Sequence, residues 1–572
     1  MRKTTTSFLR VSLLCALFVS ALLTKSQAQN NRNWLWAQTA GDIYGSNGQA
    51  VTTDGAGNVY ASGYYGSHIF FANDSLTSPD SLATNFQQNV FLAKYDATGK
   101  VLWAKSGTGD YASYATAVTT DKNNNVYMAG YFRSHKITFG GMSATNSTYG
   151  KYDIFLVKYD KDGNIQWLKS WGGSDNDEAN AVKADANGNV TITGFFASTT
   201  FNFGLIPLTN VSTDGHSDVF VMQVDANGKE IWGLSYGGSD DDIASAITVD
   251  ASNNVYVAGY FNSPSLIFSS VTLGNDSNIS TQDVFLAKFS SAGIPSWAVK
   301  AGGGQVDEPS ALTCDASGNL YMTGRYSSKL LSLGSKKYGN IGSYDVFVAK
   351  FDGTGNITWS SVGNGDGDDE SRGIVVDGSG NVFVTGTFDS RKLQFGGTSL
   401  STRGGSDMFI VKYNADGSMD FAKQAGNDGD ETANAIAVDN SGYIYVVGAY
   451  NSTIVSFDSP PVIGGNGTDD MYLAKMDNKD AAGVDIVSNN GSSHSFKVFP
   501  NPSQSVLNIA GTQAMSGAGL LEMFDAYGRR VFSSSAANFN GSTIDISNLP
   551  VGIYSLKISQ GSSIEVVKVV KN

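Results

Sequence analysis

The chain has 572 residues, with 52 acidic against 38 basic side chains and a net charge of −14. It is rich in Gly (66), Tyr (26) and Phe (31) and poor in Pro (10) and Cys (2). An acid excess with no basic patch argues against nucleic acid as a partner, and Cys314, the single cysteine beyond the leader, excludes an internal disulfide.

Residues 1–28 read as a signal peptide. Arg2, Lys3 and Arg10 form a basic start, Val11 to Leu23 is apolar but too short to span a bilayer, and Ser26-Gln27-Ala28 offers small residues for cleavage. No later apolar run is long enough for a transmembrane helix, so no membrane span is expected.

From Asn33 onward one segment recurs seven times: Ala50-Val-Thr-Thr-Asp54, Ala117-Val-Thr-Thr-Asp121, Ala181-Val-Lys-Ala-Asp185, Ala246-Ile-Thr-Val-Asp250, Ala311-Leu-Thr-Cys-Asp315, Gly373-Ile-Val-Val-Asp377 and Ala435-Ile-Ala-Val-Asp439. The closing aspartates lie 67, 64, 65, 65, 62 and 62 residues apart, a period that marks one supersecondary unit stacked on copies of itself. In the copy ending near Trp167, strand A runs to Asp121, strand B covers Val126 to Gly130, strand C Asp153 to Tyr159 and strand D Ile165 to Lys169. Asp96-Ala-Thr-Gly99 and its counterparts join C to D as tight turns, in which Asp bonds nearby amides and Gly takes the positive φ.

Four antiparallel strands per copy, seven copies and no helical period predict an all-β fold, a seven-bladed β-propeller over 33–478. Strand D carries Trp103, Trp167, Trp232, Trp297 and Trp359, then Phe421, and the seventh copy ends at Met476-Asp477 without a D strand. An orphan D strand, Trp34-Leu-Trp36-Ala-Gln38, opens the chain 67 residues before Trp103. The N-terminal strand is therefore expected to complete the last blade and remove the open edge.

The unit Asp-x-x-Gly-Asn-Val-Tyr-x-x-Gly, then Asp-Val-Phe-Leu-Ala-Lys-Tyr-Asp, then Trp, resembles the SBBP-type β-propeller repeats of bacterial exported proteins. Asp250-Ala-Ser-Asn-Asn-Val-Tyr256 and Asp345-Val-Phe-Val-Ala-Lys-Phe-Asp352 show it well. The resemblance implies a fold and no particular chemistry.

Residues 479–495 read as a linker, and 496–572 as a small Ig-like β-sandwich with strand-like stretches from Phe496 to Val570 and a hairpin at Tyr527-Gly528. Phe499-Pro-Asn-Pro502, Asp545-Ile-Ser-Asn-Leu-Pro-Val-Gly-Ile-Tyr554 and Lys568-Val-Val-Lys571 resemble the type A C-terminal sorting domain of type IX secretion in Bacteroidota. Pro500, Asn501, Pro502, Gly552, Tyr554 and Lys571 carry that match. It implies export across both membranes, contact with the type IX machinery and a sortase-like protease, and an extracellular protein, released or attached to the outer-membrane surface.

For a ligand, the sequence offers an acidic face. The D–A connections carry Asp177, Glu178, Asp241, Asp242, Asp307, Glu308, Asp369, Glu370, Asp430 and Glu431. These and the long B–C connections are expected to meet around one mouth of the channel, where loops on a rigid frame bind. Asp366-Gly-Asp-Asp-Glu370 has oxygens enough for Ca²⁺ but not the full EF-hand pattern, and its recurrence favours loop capping, so no cofactor is expected and Ca²⁺ is the alternative. No nucleophile, zinc or phosphate-loop motif is present, and no catalytic residue is assigned. The expected function is a secreted or surface-attached binding or scaffold module for a glycan or protein. The alternatives are a carbohydrate-active or other hydrolytic enzyme using carboxylates, and a structural surface or matrix component.

Overall fold

A computed structural model describes residues 33–478 and 496–571 except 42–43, 73, 79–87, 213, 276–280, 458–460, 464–467, 500–502, 504, 512–518, 526–529, 537–541 and 561–562. The leader, the linker, Pro500-Asn501-Pro502 and the Tyr527-Gly528 hairpin lie outside the described residues. Contacts divide the chain into two compact units, one within Asn33–Lys479 and one within Asp480–Asn572. Every regular element among the described residues is a strand.

In the larger unit each copy of the repeat is an antiparallel A-B-C-D meander. The second copy is typical: Ser113–Thr120, Val126–Phe132, Asp153–Tyr159 and Ile165–Trp171. Strands B and C are buried on both faces, while D is half-exposed. Each A strand touches the A strands of both neighbouring copies, and the last touches the first, so the A strands form a closed inner ring. The copies thus stack as the blades of a β-propeller-like fold.

The ring closes through the N-terminal strand. Trp34–Ala40 pairs antiparallel with Asp470–Met476, from Trp34 against Met476 to Ala40 against Met471. Trp34 is 3% exposed and meets Phe457 edge-on at 4.9 Å. Trp36 repeats the staple used between other blades. Its Nε1 donates to Ala97 O of the first copy's C–D turn (3.4 Å), and Lys475 Nζ donates to the same oxygen (2.9 Å). Trp167 and Lys158 converge in the same way on Ala226 O. The turn glycine lies against the indole: a Cβ on Gly99 would sit 3.1 Å from Trp36, and the residue has a φ of +88°. Phe421 breaks the tryptophan series for a reason visible here. Its D strand would dock on a C–D turn of the seventh copy, and that copy, whose D strand comes from the N-terminus, has none.

The aspartates that close strand A hold the A–B turns. Asp121 Oδ1 accepts from Asn123 N and Asn125 N, and Oδ2 from Asn125 Nδ2 and Tyr127 Oη, all within 3.0 Å. The B–C connections differ from the expected channel-side loops. Each carries a short hairpin, such as Lys136–Phe139 with Met142–Thr145. That hairpin joins strand D of the preceding copy, Ile137 opposite Gly109 and Phe139 opposite Gly107. Leu393–Phe395 does the same with Ile357–Asn364. Strand D is the outer strand, so these hairpins lap the rim of the ring. Their alternating apolar residues, Ile137 and Phe139, are fully buried there, and that burial holds them away from the channel.

In the C-terminal unit, Phe496–Phe499, Val506–Gly511 and Ser542–Asp545 form one sheet. Arg530–Ala536, Gly519–Phe524, Gly552–Gln560 and Ser563–Lys571 form the other. Leu507, Ile509, Ile544, Met523, Leu556 and Val569 make a core shared by both.

Candidate functional site

The ten acidic candidates do not form one face. The structure sorts them into two sets. Asp177, Asp242, Asp307, Asp369 and Glu431 open the A strands and are fully buried. Asp177 accepts from Gly173 N (2.8 Å), Ser198 N (3.2 Å) and Ser198 Oγ (2.8 Å). Ser263, Ser328, Ser390 and Ser452 serve the other four in the same way. These serines follow strand B at a fixed offset, a recurrence that the sequence displays and that motif reasoning passed over.

Opposite each of these acids lies a second buried carboxylate from strand C of the preceding copy: Asp153, Asp218, Asp283, Asp345 and Asp407. One oxygen of Asp153 accepts from Ser147 N (2.6 Å), and Asp218 accepts likewise from Val211 N (2.8 Å). The other oxygen crowds the first glycine of the D–A connection. A Cβ on Gly172 would lie 2.1 Å from Asp153 Oδ1 and one on Gly173 2.7 Å from Ser198 Oγ, which together explain the Gly-Gly of that loop. Burial is the larger influence on these groups. It pushes Asp177, Asp242, Asp307, Asp369 and Asp407 up to about 7 and Asp218 to about 6, against the pull of their hydrogen-bond donors. The carboxylates between blades are therefore structural caps.

Asp241 and Asp430 also cap loops: Asp241 accepts from Ser217 N (2.8 Å) and Asp430 from Ser406 N (2.9 Å). The acids of 366–370 diverge as well. Asp366 binds the exposed Arg391 (2.6 Å), Asp369 is buried on Ser390, and Glu370 turns toward Arg325 and Arg372. Among the described residues no group of three or more His, Cys, Asp or Glu is arranged to hold a metal ion.

Glu178, Glu308 and Glu370 belong to a different place, the inner face of the A-strand ring. Every A strand carries a β-bulge there, as between Ala179 and Ala181 or Ser371 and Gly373. A bulged residue leaves the ladder, and its side chain is re-aimed. The seven residues so placed are Gln49, Thr116, Asn180, Ser245, Ser310, Arg372 and Asn434. Four of them stitch the ring: Thr116 Oγ1 donates to Ala179 O (2.6 Å), Asn180 Nδ2 to Ala244 O (2.9 Å), Ser310 Oγ to Ser371 O (2.5 Å) and Asn434 Nδ2 to Gly48 O (2.9 Å).

Arg372 reaches the next copy through a side chain instead of a backbone carbonyl. It pairs with Glu370 (3.0 Å) and donates to Asn434 Oδ1 (3.1 Å). Arg325 pairs with Glu308 (2.7 Å) and Glu370 (3.3 Å) and lies over the Tyr344 ring at 4.5 Å. These four side chains, with Ser245, Tyr260, Pro309, Ser310 and Ser371, line a cavity of about 440 Å³ contributed by the fourth, fifth and sixth copies. In the first and second copies the inner face is aromatic instead. Tyr64, Tyr114, Tyr131 and Tyr152 meet in a chain of ring contacts at 4.9 to 5.3 Å between successive pairs. Glu178 lies near Tyr131, pushed up to about 7 by burial and then by Asp177. Sequence reasoning missed the arginines and tyrosines. For Tyr64, Tyr131, Tyr260 and Arg325 the signal was the residue after the strand-B glycine, which is Tyr64, Tyr131, Phe195, Tyr260, Arg325, Thr387 and Ala449 in turn.

In the C-terminal unit Gly552 faces Lys571 and Tyr554 faces Val569 across one strand pair. Tyr554 Oη donates to Pro550 O (2.6 Å), and Ser503, next to the Pro-Asn-Pro motif, bridges to the buried Lys571. Three sorting-motif residues thus converge on one edge. Residues 497–572 match the family model described as the secretion system C-terminal sorting domain.

The chain carries a type IX sorting domain. That domain implies export to the cell surface or beyond and interaction with the type IX machinery. No helix among the described residues is long and apolar enough to cross a membrane. Two curated relatives match the larger part of the chain. An uncharacterized WD repeat-containing protein of Acanthamoeba polyphaga mimivirus is 23% identical over 510 residues, covering 74% of this chain and 36% of that protein. The regulatory protein FlaEY of Caulobacter vibrioides is 24% identical over 412 residues, covering 68% and 41%. The chain spans well under half the length of either. Among solved structures, Sqt1 from Chaetomium thermophilum is similar at a TM-score of 0.34 and 10% identity, covering 76% of this chain and 87% of that one. A member of the duf4221 family from Bacteroides vulgatus has a TM-score of 0.32 and 9% identity, covering 63% and 91%.

Proposed function

We propose that the chain is an exported seven-bladed β-propeller of the SBBP repeat type, followed by an Ig-like sorting sandwich, and that the propeller is a binding module of the cell surface or the extracellular space. The observation that carries this reading is the inner face of the ring. Elsewhere recurring polar residues make recurring structural bonds: the aspartate of the A–B turn does so in all seven copies and the acid that opens strand A in five. On the inner face the copies diverge, and charged and aromatic side chains line a cavity that the fold itself does not need. Concave surfaces with a few convergent polar groups are where ligands bind. Glu308 and Glu370 are each tied to a guanidinium, which fixes their oxygens as hydrogen-bond acceptors for a ligand.

The reading has two halves and one test for each. Expressed in a host with type IX secretion, the full chain is expected outside the cell and a chain lacking 496–572 in the periplasm; surface display of the truncated chain would refute the sorting role. The secreted full chain, probed on arrays of glycans and of peptides, is expected to retain a defined ligand. Retention of nothing on either array refutes the binding role.

A further inference from the structure

The cavity at Tyr260, Glu308, Arg325, Glu370 and Arg372 restricts the ligand further. Its charges alternate along the wall as Glu308, Arg325, Glu370, Arg372, with nearest N–O distances of 2.7, 3.3 and 3.0 Å. Two carboxylates and two guanidiniums cancel, so the wall has no net charge. An ionic ligand would have to take one partner from an existing pair and leave the other half-buried and uncompensated, which is costly. A hydroxyl group meets no such obstacle, since it both donates and accepts. Two neighbouring hydroxyls can bond a carboxylate oxygen and the adjacent guanidinium N–H without breaking the pair between them. Tyr260 adds an aromatic lining, with its hydroxyl held above its usual range by burial and then by Glu308.

Within the larger unit this combination occurs in one sector. The residue after the strand-B glycine is Arg only at 325, and the bulged residue is charged only at 372. The site is therefore a single one per ring, unlike the caps that recur between blades. At about 440 Å³ the cavity lies toward the small end of ligand sites, which run from about 300 to 1,000 Å³.

Resting on the binding-module reading, we propose that this cavity takes a neutral polyhydroxylated ligand, one or two sugar units of an uncharged glycan, held by vicinal hydroxyls bridging Glu308–Arg325 and Glu370–Arg372 over Tyr260.

The test uses the secreted full chain on an array of neutral glycans, uronate- or sulfate-bearing glycans and peptides. Glycans retained there are then titrated in solution. Neutral glycans are expected to be retained, with an affinity that changes less than about twofold between roughly 0.05 and 0.5 M NaCl, since screening acts on charged ligands. Arg325→Lys keeps the charge but loses the planar fork, and Glu370→Gln keeps the shape but loses the charge. Each is expected to weaken binding by about tenfold or more, the effect of a hot-spot residue, with a melting temperature lowered by no more than about 2 °C. Arg391→Ala, on an exposed loop, is the control. Retention of acidic glycans or peptides only, with salt-sensitive binding, would overturn the ligand class and leave the binding module standing. Neutral-glycan binding unaffected by both variants would overturn the site. An empty array overturns the inference together with the reading it rests on.

Discussion

Asp369 and Glu370 are neighbours in the chain and belong to opposite worlds. Asp369 is fully buried between two blades and holds Ser390, as Asp177, Asp242 and Asp307 hold their serines. Glu370 points to the inner face and joins two arginines that no other copy has in those places. The contrast between the blade interfaces and the inner belt separates two kinds of polarity. What recurs from the third copy to the seventh satisfies the fold, because those blades present the same loop amides to be capped. What one sector alone has is free to serve a ligand.

The severest way to break the ring is at its closure. Deleting Asn33–Ala40 removes strand D of the last copy and with it Trp34, whose truncation alone is worth about 3–5 kcal/mol. The ring is expected to melt far below the full chain or to aggregate through the exposed edge of Asp470–Met476. An unchanged melting curve would mean that closure does not hold the blades together.

A second test addresses five of the blade interfaces at once. Asp177, Asp242, Asp307, Asp369 and Asp407, pushed up to about 7, bind protons more tightly in the folded ring than in the unfolded chain, where carboxylates titrate near 4. Their contribution is fully present below that unfolded value and is lost as pH rises through the folded one. Stability is therefore expected to fall between about pH 4 and pH 7, so that the melting temperature at pH 5.5 exceeds that at pH 8 by several degrees. The reverse order would show that the serine and amide donors prevail and keep the caps ionised.

The adjacent pair sharpens the comparison at single-residue scale. Asp369→Ala strands buried donors around Ser390 and is expected to cost about 1–3 kcal/mol. Glu370→Gln touches only half-exposed ion pairs and is expected to cost less than about 1 kcal/mol. Denaturant melts of both variants decide it, and similar losses would erase the distinction between interface and belt.

The smallest expected effect is none at all. Because the acids of 366–370 disperse onto Arg391, Ser390, Arg325 and Arg372, EDTA is expected to leave the melting temperature within about 1 °C, whereas removal of a ligand bound only by the folded state would lower it. A fall restored by Ca²⁺ alone would place a metal site in this connection.

Much of the ring was legible in the chain. The aspartate period gave the repeat, and the displaced tryptophan at Trp36 gave the closure, because both reflect bonds made inside one copy or between identical neighbours. The rim hairpins were not legible. Ile137 and Phe139 alternate over only four residues, and nothing local says that their sheet partner is strand D of the preceding copy. The acidic candidates were visible as a group and misread as one, because adjacent residues on a strand point to opposite sides.

What the sequence determined by itself was therefore the repeated architecture and, through Gly552, Tyr554 and Lys571, the sorting tail. Periodicity and motif order survive in one dimension. Which carboxylates are buried caps, which face the belt, and that Arg325 and Arg372 share Glu370 were decided by the tertiary structure alone. The bulge in strand A re-aims its polar residue, and the stacking of neighbouring blades brings side chains 45 and 47 residues apart onto one wall. A charge network between blades is a property of packing, and no local pattern announces it.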